Sequence, residues 1–263
     1  MKTAGIDMGA ETVKVVIVDD GRIVSRHKAF SGFEPPKIAK EIFDEALREV
    51  SMQRTDLAGV LGTGSGMKTA PYADGTVSIM AADTKAAYHF ASTARTVIDI
   101  GAEEARTMKC DDRGNMVNFA LNERCAAGAG TFIEAMARAL ELKLEEMGPL
   151  SLKAEKASPI NATCVIFGES DVVTLIHRQE PKQEIARAVF DAMAERTSSM
   201  VHRLGLNPDL VLVGGVARDV GFVESLRRKL GVKIIVPDDP EYSGALGAAL
   251  IAASRVKGAG AQK

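Results

Sequence analysis

The sequence predicts an α/β protein made of two similar lobes. An early apolar stretch, TAGID, ends in an aspartate, turns through MGAET and continues as the β-branched run VKVVIV. The same order returns about ninety residues later, where TVIDIG leads through AEE into ARTMKC. Because further strands and helices follow each hairpin in a similar order, the chain is expected to be an internal repeat of architecture, although few residues are identical between the copies.

The first half predicts three antiparallel strands followed by helices and a further strand. After the opening hairpin, Asp20 and Gly21 turn the chain into a third strand, RIVSRHKAF. Apolar residues then recur at helical spacing over 36–50, the strand GVLGTG follows, and a second helical pattern covers 80–93. These elements are expected to form a first lobe of residues 1–95.

The second half predicts a similar hairpin and a longer helical region. Strands are expected at TVIDIG, ARTMKC, NMVNFAL, LVLVGG and VKIIVP. Helices are expected at 130–142, 168–178, 181–204 and 221–230, with Gly148-Pro149 ending the first helical region. The final helix, 243–255, is rich in small residues and is expected to pack back on the first lobe. The second lobe then covers 96–242 and includes the cysteines.

The composition excludes several classes of protein. The chain has 263 residues, a formal net charge of -2 and basic residues interspersed with acidic ones, so no nucleic-acid partner is expected. No run approaches the ~20 apolar residues that cross a bilayer, so no membrane association is expected. Three cysteines do not make a disulfide framework, and they indicate a reducing, cytoplasmic location in which thiols are available for metals or chemistry.

The two aspartate–glycine turns predict a nucleotide site. Asp7 and Asp99 each lie at the end of an apolar strand, and Gly9 and Gly101 stand two positions later. Glycine lets backbone N–H groups approach phosphate oxygens closely, and a carboxylate at a strand end can hold a hydrated Mg²⁺ ion. Two ordinary hairpin turns are the alternative. Their recurrence at the same point of a duplicated chain favours nucleotide binding.

Two glycine-rich segments extend this prediction. VLVGGVARD is a buried strand that ends in two glycines, which leave room for adenosine, and YSGALGAAL is a further element of the site. GTGSGMKT lacks the spacing of a Walker A loop, and no G-x-G-x-x-G follows the first strand, so neither a P-loop nor a Rossmann site is expected. The residues predicted to contact the nucleotide are Gly9, Ala10, Glu11, Lys14, Gly101, Ala102, Gly214, Gly215 and Gly244.

Two cysteines predict an iron–sulfur cluster. Cys125 in NERCAAGAGTF and Cys164 in NATCVIFGES each precede an expected helix, and helix N-termini attract anions. Two thiolates cannot complete a shell of four, but a cluster shared between two subunits would satisfy the count. The alternative treats Cys164 as a buried core residue and Cys125 as a loop residue. Cys110, in the strand-like TMKC, is expected to be structural.

Read together, these segments resemble one ATPase family. GIDMG, TVIDIG, NERCAAGAGTF, TCVIFGES, GGVA and GALGAAL stand in the order and spacing of the family that contains the activators of 2-hydroxyacyl-CoA dehydratases and the ATP-binding subunits of benzoyl-CoA reductase. The resemblance covers Gly5 to Ala252. It implies the actin, sugar-kinase and Hsp70-like duplicated two-lobe fold, with ATP or ADP and Mg²⁺ in the interlobe cleft. It also implies a 4Fe-4S cluster that bridges two subunits through Cys125 and Cys164.

The second turn departs from part of that family. It reads DIGAEE from Asp99, where activators of the dehydratases usually have DIGGQD, and this form looks most like the delta-type subunit of an ATP-dependent benzoyl-CoA reductase. In the family, the glutamine at the position of Glu103 could orient the attacking water, so Glu103 is an expected catalytic residue. Asp7 and Asp99, which would position Mg²⁺, are the other two. Two added carboxylates beside the triphosphate are expected to slow hydrolysis by this chain alone.

The expected function is that of an electron-transfer ATPase. ATP hydrolysis would drive delivery of a low-potential electron from the cluster, for reductive dearomatisation of an aromatic acyl-CoA in other subunits. The expected partners are a homologous ATP-binding subunit, catalytic reductase or dehydratase subunits, and a ferredoxin-like electron donor. Two other functions stay open: a homodimeric activator of a 2-hydroxyacyl-CoA dehydratase, and a sugar kinase of the same fold, which would need no iron.

Overall fold

The computed structural model describes residues 1–122, 129–161 and 164–260, with residues 259 and 260 lacking described side chains. The strands are β1 (Lys2–Met8), β2 (Thr12–Asp19), β3 (Arg22–Phe30), β4 (Gly59–Thr63), β5 (Gly75–Thr76), β6 (Thr96–Ile100), β7 (Ala105–Cys110), β8 (Met116–Leu121), β9 (Leu210–Val213) and β10 (Ile234–Ile235). The helices are α1 (Pro35–Glu49), α2 (Ile79–Phe90), α3 (Gly130–Ala139), α4 (Leu144–Ser151), α5 (Val165–His177), α6 (Lys182–Leu204), α7 (Val220–Leu230) and α8 (Ser243–Gly260).

Two five-stranded sheets share one topology. The first has the order β3-β2-β1-β4-β5, and the second, β8-β7-β6-β9-β10, repeats that order strand for strand. In each sheet the opening hairpin is antiparallel, and its first strand also pairs in parallel with a later strand, β4 or β9. The predicted duplication of an α/β fold is therefore confirmed.

The chain divides into two compact units. The first contains residues 1–93, 110–117 and the chain from Glu241 onward, and the second contains 94–109 and 118–240. The segment 110–117, predicted to lie in the second lobe, belongs to the first unit. Lys85 of α2 donates to the carbonyl of Arg113 at 3.0 Å, and Gly114 lies against the ring of Tyr88.

In the first unit, α8 lies against the sheet with unusually little space between the backbones. A Cβ added at Gly5 of β1 would overlap the carbonyl of Ala245, and one added at Gly247 would overlap Ala82 of α2. The hydroxyl of Thr3 donates to the carbonyl of Ala249 at 2.8 Å. Small residues on both sides permit this approach, which explains the alanine- and glycine-rich sequence of the final helix.

The second unit has a larger helical core. The fully buried rings of Phe132 (α3), Phe190 (α6) and Phe222 (α7) pack together with the apolar side chains of β6 and β9. Burying one such ring contributes about 1.5–3 kcal/mol to folding. None of the helices in the described ranges has the length and apolar character that a membrane span needs.

Three predicted boundaries in this region are wrong. Pro149 lies inside α4 instead of ending a helical region, because the fully buried Met147 and its neighbours anchor this short helix and outweigh the missing N–H. Helix α3 stops at Ala139, and Glu141 adopts a positive φ of 55° just beyond it. Helix α5 begins at Val165, with Cys164 as its N-cap, three residues earlier than expected.

Candidate functional site

The first turn joins β1 to β2 and positions Asp7. Asp7 is 6% exposed and faces Lys14 across the hairpin. The Lys14 ammonium lies 3.4 Å from Asp7 Oδ2. Ser31 supports the turn, since its N–H donates to the carbonyl of Glu11 at 2.8 Å and its hydroxyl to the carbonyl of Gly9 at 2.9 Å. A buried carboxylate and one cation therefore lie beside the turn residues 9–12, which connect the paired Met8 and Val13 and of which Thr12 already begins β2.

The second turn repeats this arrangement in the second unit. Asp99 is also 6% exposed and faces Arg106 across the β6–β7 hairpin. Arg106 Nη1 lies 2.5 Å from Asp99 Oδ2, and Nη2 of the same guanidinium donates to Glu104. The N–H of Gly101 donates to the carbonyl of Glu104 at 2.9 Å, which closes a turn of the same length as the first.

Each buried aspartate has a glycine against its carboxylate. An added Cβ at Gly64, which follows β4, would lie 2.5 Å from Asp7 Oδ1, and one at Gly214, which follows β9, would overlap Asp99 Oδ1. Both glycines have positive φ, 84° and 88°. Gly244, in the first turn of α8, also borders Asp7, since its added Cβ would lie 3.3 Å from Asp7 Oδ2. A carboxylate and its glycine thus belong together in each unit.

The geometry adds two residues that were not predicted from the sequence, Arg106 and Gly64. Arg106 had a detectable signal, because it follows Asp99 by the same seven positions that separate Lys14 from Asp7. Gly64 stands among other glycines in GTGSG, and no spacing singles it out. Gly214 lies against the Asp99 carboxylate, and its predicted role of leaving room for adenosine stays a prediction.

The structure also gives the surroundings of the other residues that were predicted to bind nucleotide or to act in catalysis. Glu103 is exposed, and the neighbouring Glu104 is the residue that joins the ion pair of Asp99. Gly215 is exposed, with no atom near the position of an added Cβ. Ala10 and Glu11 are exposed in the first turn, and Ala102 is partly exposed in the second. The roles predicted for these residues stay predictions.

The predicted cluster ligands are only partly covered by the structure. Cys125 lies outside the described residues. Cys164 is partly exposed at the N-cap of α5, so the alternative in which it is a buried core residue is wrong. Its neighbours Ile166 and Phe167 are 74% and 60% exposed. Cys110 is buried in β7, as expected of a structural residue. Among the described residues, no group of three metal-ligating side chains comes together.

A cavity opens beside the loop that follows β9. Its volume is about 510 Å³, and its lining includes Ala217, Arg218, Val223 and Val236. Nearby, burial raises the pKa of Asp219 to about 6, although the N–H groups of α7 that this residue caps favour its charged form. The cavity has mainly apolar walls and one cation, Arg218, paired with Asp239 at 3.1 Å.

Two sheets of one topology, each with a strand-end carboxylate beside a glycine turn, define an α/β protein of the actin and sugar-kinase type. At the level of fold alone, a ROK family glucokinase from Streptomyces griseus is similar, with a TM-score of 0.60, 15% identity and coverage of 97% of this chain and 100% of that chain. The chain belongs to the BadF/BadG/BcrA/BcrD ATPase family, whose model matches residues 4–252.

Within this family, the chain is similar to dehydratase activators over nearly its whole length. It is 35% identical to the activator of lactoyl-CoA dehydratase from Anaerotignum propionicum, covering 96% of this chain and 97% of that protein. The structure of the 2-hydroxyisocaproyl-CoA dehydratase activator from Clostridium difficile with bound ADPNP is similar too. It has a TM-score of 0.92 and 33% identity, and the match covers 100% of this chain and 98% of that chain.

The predicted assignment to a delta-type reductase subunit is not confirmed. A benzoyl-CoA reductase subunit from Thauera aromatica is 31% identical over 96% of this chain and 93% of that protein, a weaker similarity than to the activators. Membership of the ATPase family holds for the chain whether it is more similar to the activators or to the reductase subunit.

Proposed function

We propose that the chain is an ATPase that activates a 2-hydroxyacyl-CoA dehydratase by delivering an electron to it. The main support is full-length similarity to dehydratase activators, 33% to 35% identical over 95% or more of this chain. The duplicated carboxylate turns support the ATPase part of this proposal, because both have the form that phosphate and Mg²⁺ require.

The proposed nucleotide site uses the turns for phosphate and metal. In the first unit, the backbone N–H groups of residues 9–11 would bind phosphate oxygens and Asp7 would hold a water of a Mg²⁺ ion. In the second unit, the N–H groups of residues 102–104 and the carboxylate of Asp99 would have the same roles, while the N–H of Gly101 closes its own turn. A Mg²⁺ ion that arrives with ATP keeps several waters and needs only one or two carboxylates besides the phosphates. Each aspartate already has a cation, Lys14 or Arg106, which can neutralise phosphate charge when the carboxylate turns to the metal's hydration shell.

Two features of the second unit fit the rest of the nucleotide. The cavity lined by Ala217 and Arg218, about 510 Å³ with largely apolar walls, lies within the usual size range of small-ligand sites and would accept an adenine base. Thr131, next to the second turn, has a buried hydroxyl without a hydrogen-bond partner among the described residues. An orphaned hydroxyl costs about 1–3 kcal/mol, and an oxygen of the bound nucleotide or its water would remove that cost.

Cys125 and Cys164 are proposed to hold one 4Fe-4S cluster together with the same residues of a second chain. Cys164 fits this role, since it is partly exposed at the N-terminus of a thirteen-residue helix, where the helix dipole favours an anionic cluster. When bound, the cluster would supply a low-potential electron. The exposed Ile166 and Phe167 beside Cys164 fit burial against the second copy.

Anaerobic purification tests this proposal directly. The expected product is a brown self-dimer that hydrolyses ATP and activates a 2-hydroxyacyl-CoA dehydratase when supplied with a reduced ferredoxin. Cys125→Ser and Cys164→Ser should each lose the iron, while Cys110→Ser, the matched control, should retain it. Equal iron content in the wild type and all three variants would overturn the cluster assignment.

A benzoyl-CoA reductase subunit is the second candidate, because the second turn carries Glu103 and Glu104. That function predicts a chain that hydrolyses ATP poorly alone and gains activity with a homologous subunit of the usual DIGGQD sequence. A stable self-dimer that activates a dehydratase would exclude it. A colourless protein that phosphorylates a sugar would instead identify a kinase of the same fold.

A further inference from the structure

The second phosphate turn is joined to Cys164 by an unbroken series of tight contacts. The N–H of Gly130 donates to the carbonyl of Gly101, and the N–H of Thr131 donates to the carbonyl of Ala102, both at 2.9 Å. These are the first two residues of α3, so the N-terminus of that helix is bound to the turn itself. A displacement of the turn must either break both hydrogen bonds or move the helix.

The next residue of α3 continues the series. Phe132 is fully buried, and the edge of its ring faces Gly168 in the first turn of α5. A Cβ added at Gly168 would lie 2.7 Å from Phe132 Cε2 and 3.1 Å from Cζ, so the ring occupies the space that a side chain would need. Close-packed interiors of this kind transmit displacements, because they have no free volume to absorb them.

The last contact reaches the cysteine. The N–H of Gly168 donates to the carbonyl of Cys164 at 3.0 Å, closing the first turn of α5. The backbone that touches the Phe132 ring is therefore hydrogen-bonded to the backbone that carries the thiol. All these residues lie within the second unit, so the series depends on no arrangement between the units.

We propose that Phe132 and Gly168 are positioning residues that couple the nucleotide state of the second turn to the backbone at Cys164. The coupling rests on the proposed function, because it requires that the turn binds nucleotide. The contact requires glycine at position 168, because any larger residue would push the first turn of α5 away from the ring of Phe132.

Hydrogen–deuterium exchange on the full-length protein, purified anaerobically, tests the coupling without an activity assay. The probes are Mg²⁺ with ADP and Mg²⁺ with a non-hydrolysable ATP analogue. In the wild type, peptides from the first turns of α3 and α5 should both exchange at rates that differ several-fold between the two nucleotides. In Gly168→Ala, α3 should keep its response and α5 should lose it. A general loosening of α5 would instead raise exchange by the same factor with both nucleotides, so the difference between the two nucleotide states would remain.

Two further variants separate coupling from simple damage. Val173→Ala changes a side chain that is 41% exposed on the same helix and should respond like the wild type. Phe132→Leu removes both ring atoms that an alanine at 168 would strike and leaves only the carbonyl oxygen of Asn161, 3.1 Å from the added Cβ. The double variant Phe132→Leu/Gly168→Ala should therefore regain most of the α5 response. If Gly168→Ala does not fold, Phe132→Leu alone should reduce that response.

The outcomes distinguish this coupling from the proposed function. If calorimetry detects no binding of either nucleotide, the proposed function fails and the coupling with it. If nucleotide binds and α3 responds while α5 does not, or if Gly168→Ala keeps the wild-type response, the coupling alone is overturned.

Discussion

The two aspartate–glycine turns, which are proposed to bind phosphate, have nearly the same sequence and register but differ at one polar position. Residues 6–14 read IDMGAETVK and residues 98–106 read IDIGAEEAR, in the same hairpin register. Aspartate faces a basic residue in both. The polar difference lies at the last turn position, where Thr12 stands in the first turn and Glu104 in the second. Glu104 gives Arg106 a second carboxylate, whereas Lys14 pairs with the carboxylate of Asp7.

This comparison shows which properties come from the fold and which from one side chain. The duplicated hairpin sets the position of the carboxylate and its cation. The residue at the end of the turn sets how firmly the cation is held, because a guanidinium between two carboxylates makes directional, charge-assisted hydrogen bonds that a single lysine contact lacks. We infer that Lys14 moves to a phosphate more readily than Arg106 does.

The largest effect on stability is expected at the two glycines that lie against the buried aspartates, where the comparison predicts the same cost in both turns. Gly64→Ala and Gly214→Ala each place a Cβ against a buried aspartate at positive φ. Each should lower the free energy of unfolding by about 3 kcal/mol or more, measured by urea denaturation. Gly215→Ala is the control, since no atom lies within 4 Å of its added Cβ. If the two substitutions differ greatly in cost, the turns are not equivalent in packing.

The next effect concerns the carboxylates themselves. Asp7→Asn and Asp99→Asn should each slow Mg²⁺-dependent ATP hydrolysis about 100-fold, equivalent to about 2.7 kcal/mol, with little change in nucleotide affinity. An amide still hydrogen-bonds water but attracts the metal less. Steady-state rates and calorimetric affinities measure the two quantities. Wild-type hydrolysis in both variants would contradict the assignment of these aspartates.

Asp219 provides a third, largely buried carboxylate, one without a cation in the described part of the chain. Its folded pKa, about 6, lies above the usual 3.8, so its protonation stabilises the fold at low pH and this contribution is lost as the pH rises through 6. Asp219→Asn keeps an acceptor for the helix N–H groups but carries no charge. Between pH 4 and pH 8, the wild type should lose about 2–3 kcal/mol of stability relative to this variant. Parallel urea-denaturation profiles would show that the carboxylate is well solvated.

The smallest effect comes from exchanging the polar difference between the turns. Glu104→Thr should strengthen ATP binding about threefold, because Arg106 loses one of two competing carboxylates, and Thr12→Glu should weaken it by a similar factor. Glu103→Gln, at an exposed position, should change affinity less than Glu104→Thr. Calorimetry at low and high salt measures these shifts, which salt should reduce. Changes of the same sign in both exchanged variants would contradict the inferred role of this position.

Much of the fold could be predicted from the sequence, because apolar residues recur at the regular spacing of strands or helices. The β-branched run in β2 and the apolar stripe of α1 indicate their elements without tertiary information. Helix α4 could not be predicted, since Gly148 and Pro149 are poor helix formers and only the burial of Met147 reveals why the segment stays helical.

The candidate site was predictable in its carboxylates but not in its contacts. Asp7 and Asp99 follow from strand ends, which are local features. Glu104, and not Glu103, pairs with Arg106, and the order of adjacent residues in the sequence does not reveal which side chain the turn directs at the guanidinium. Phe132 and Gly168 are 36 positions apart, and only the packing of α3 on α5 brings them together.

The close fit between Gly5 and the final helix has a consequence for synthesis on the ribosome. Residues 1–93 form most of the first unit, yet α8, which covers β1, is not made until the chain reaches 243–260. At a synthesis rate on the order of 10 residues per second, about 25 seconds pass between the synthesis of β1 and that of the helix that covers it. During that interval the nascent chain exposes a sheet that can bind chaperones or aggregate. The synthesis of the last helix therefore determines when the first strand is protected from aggregation.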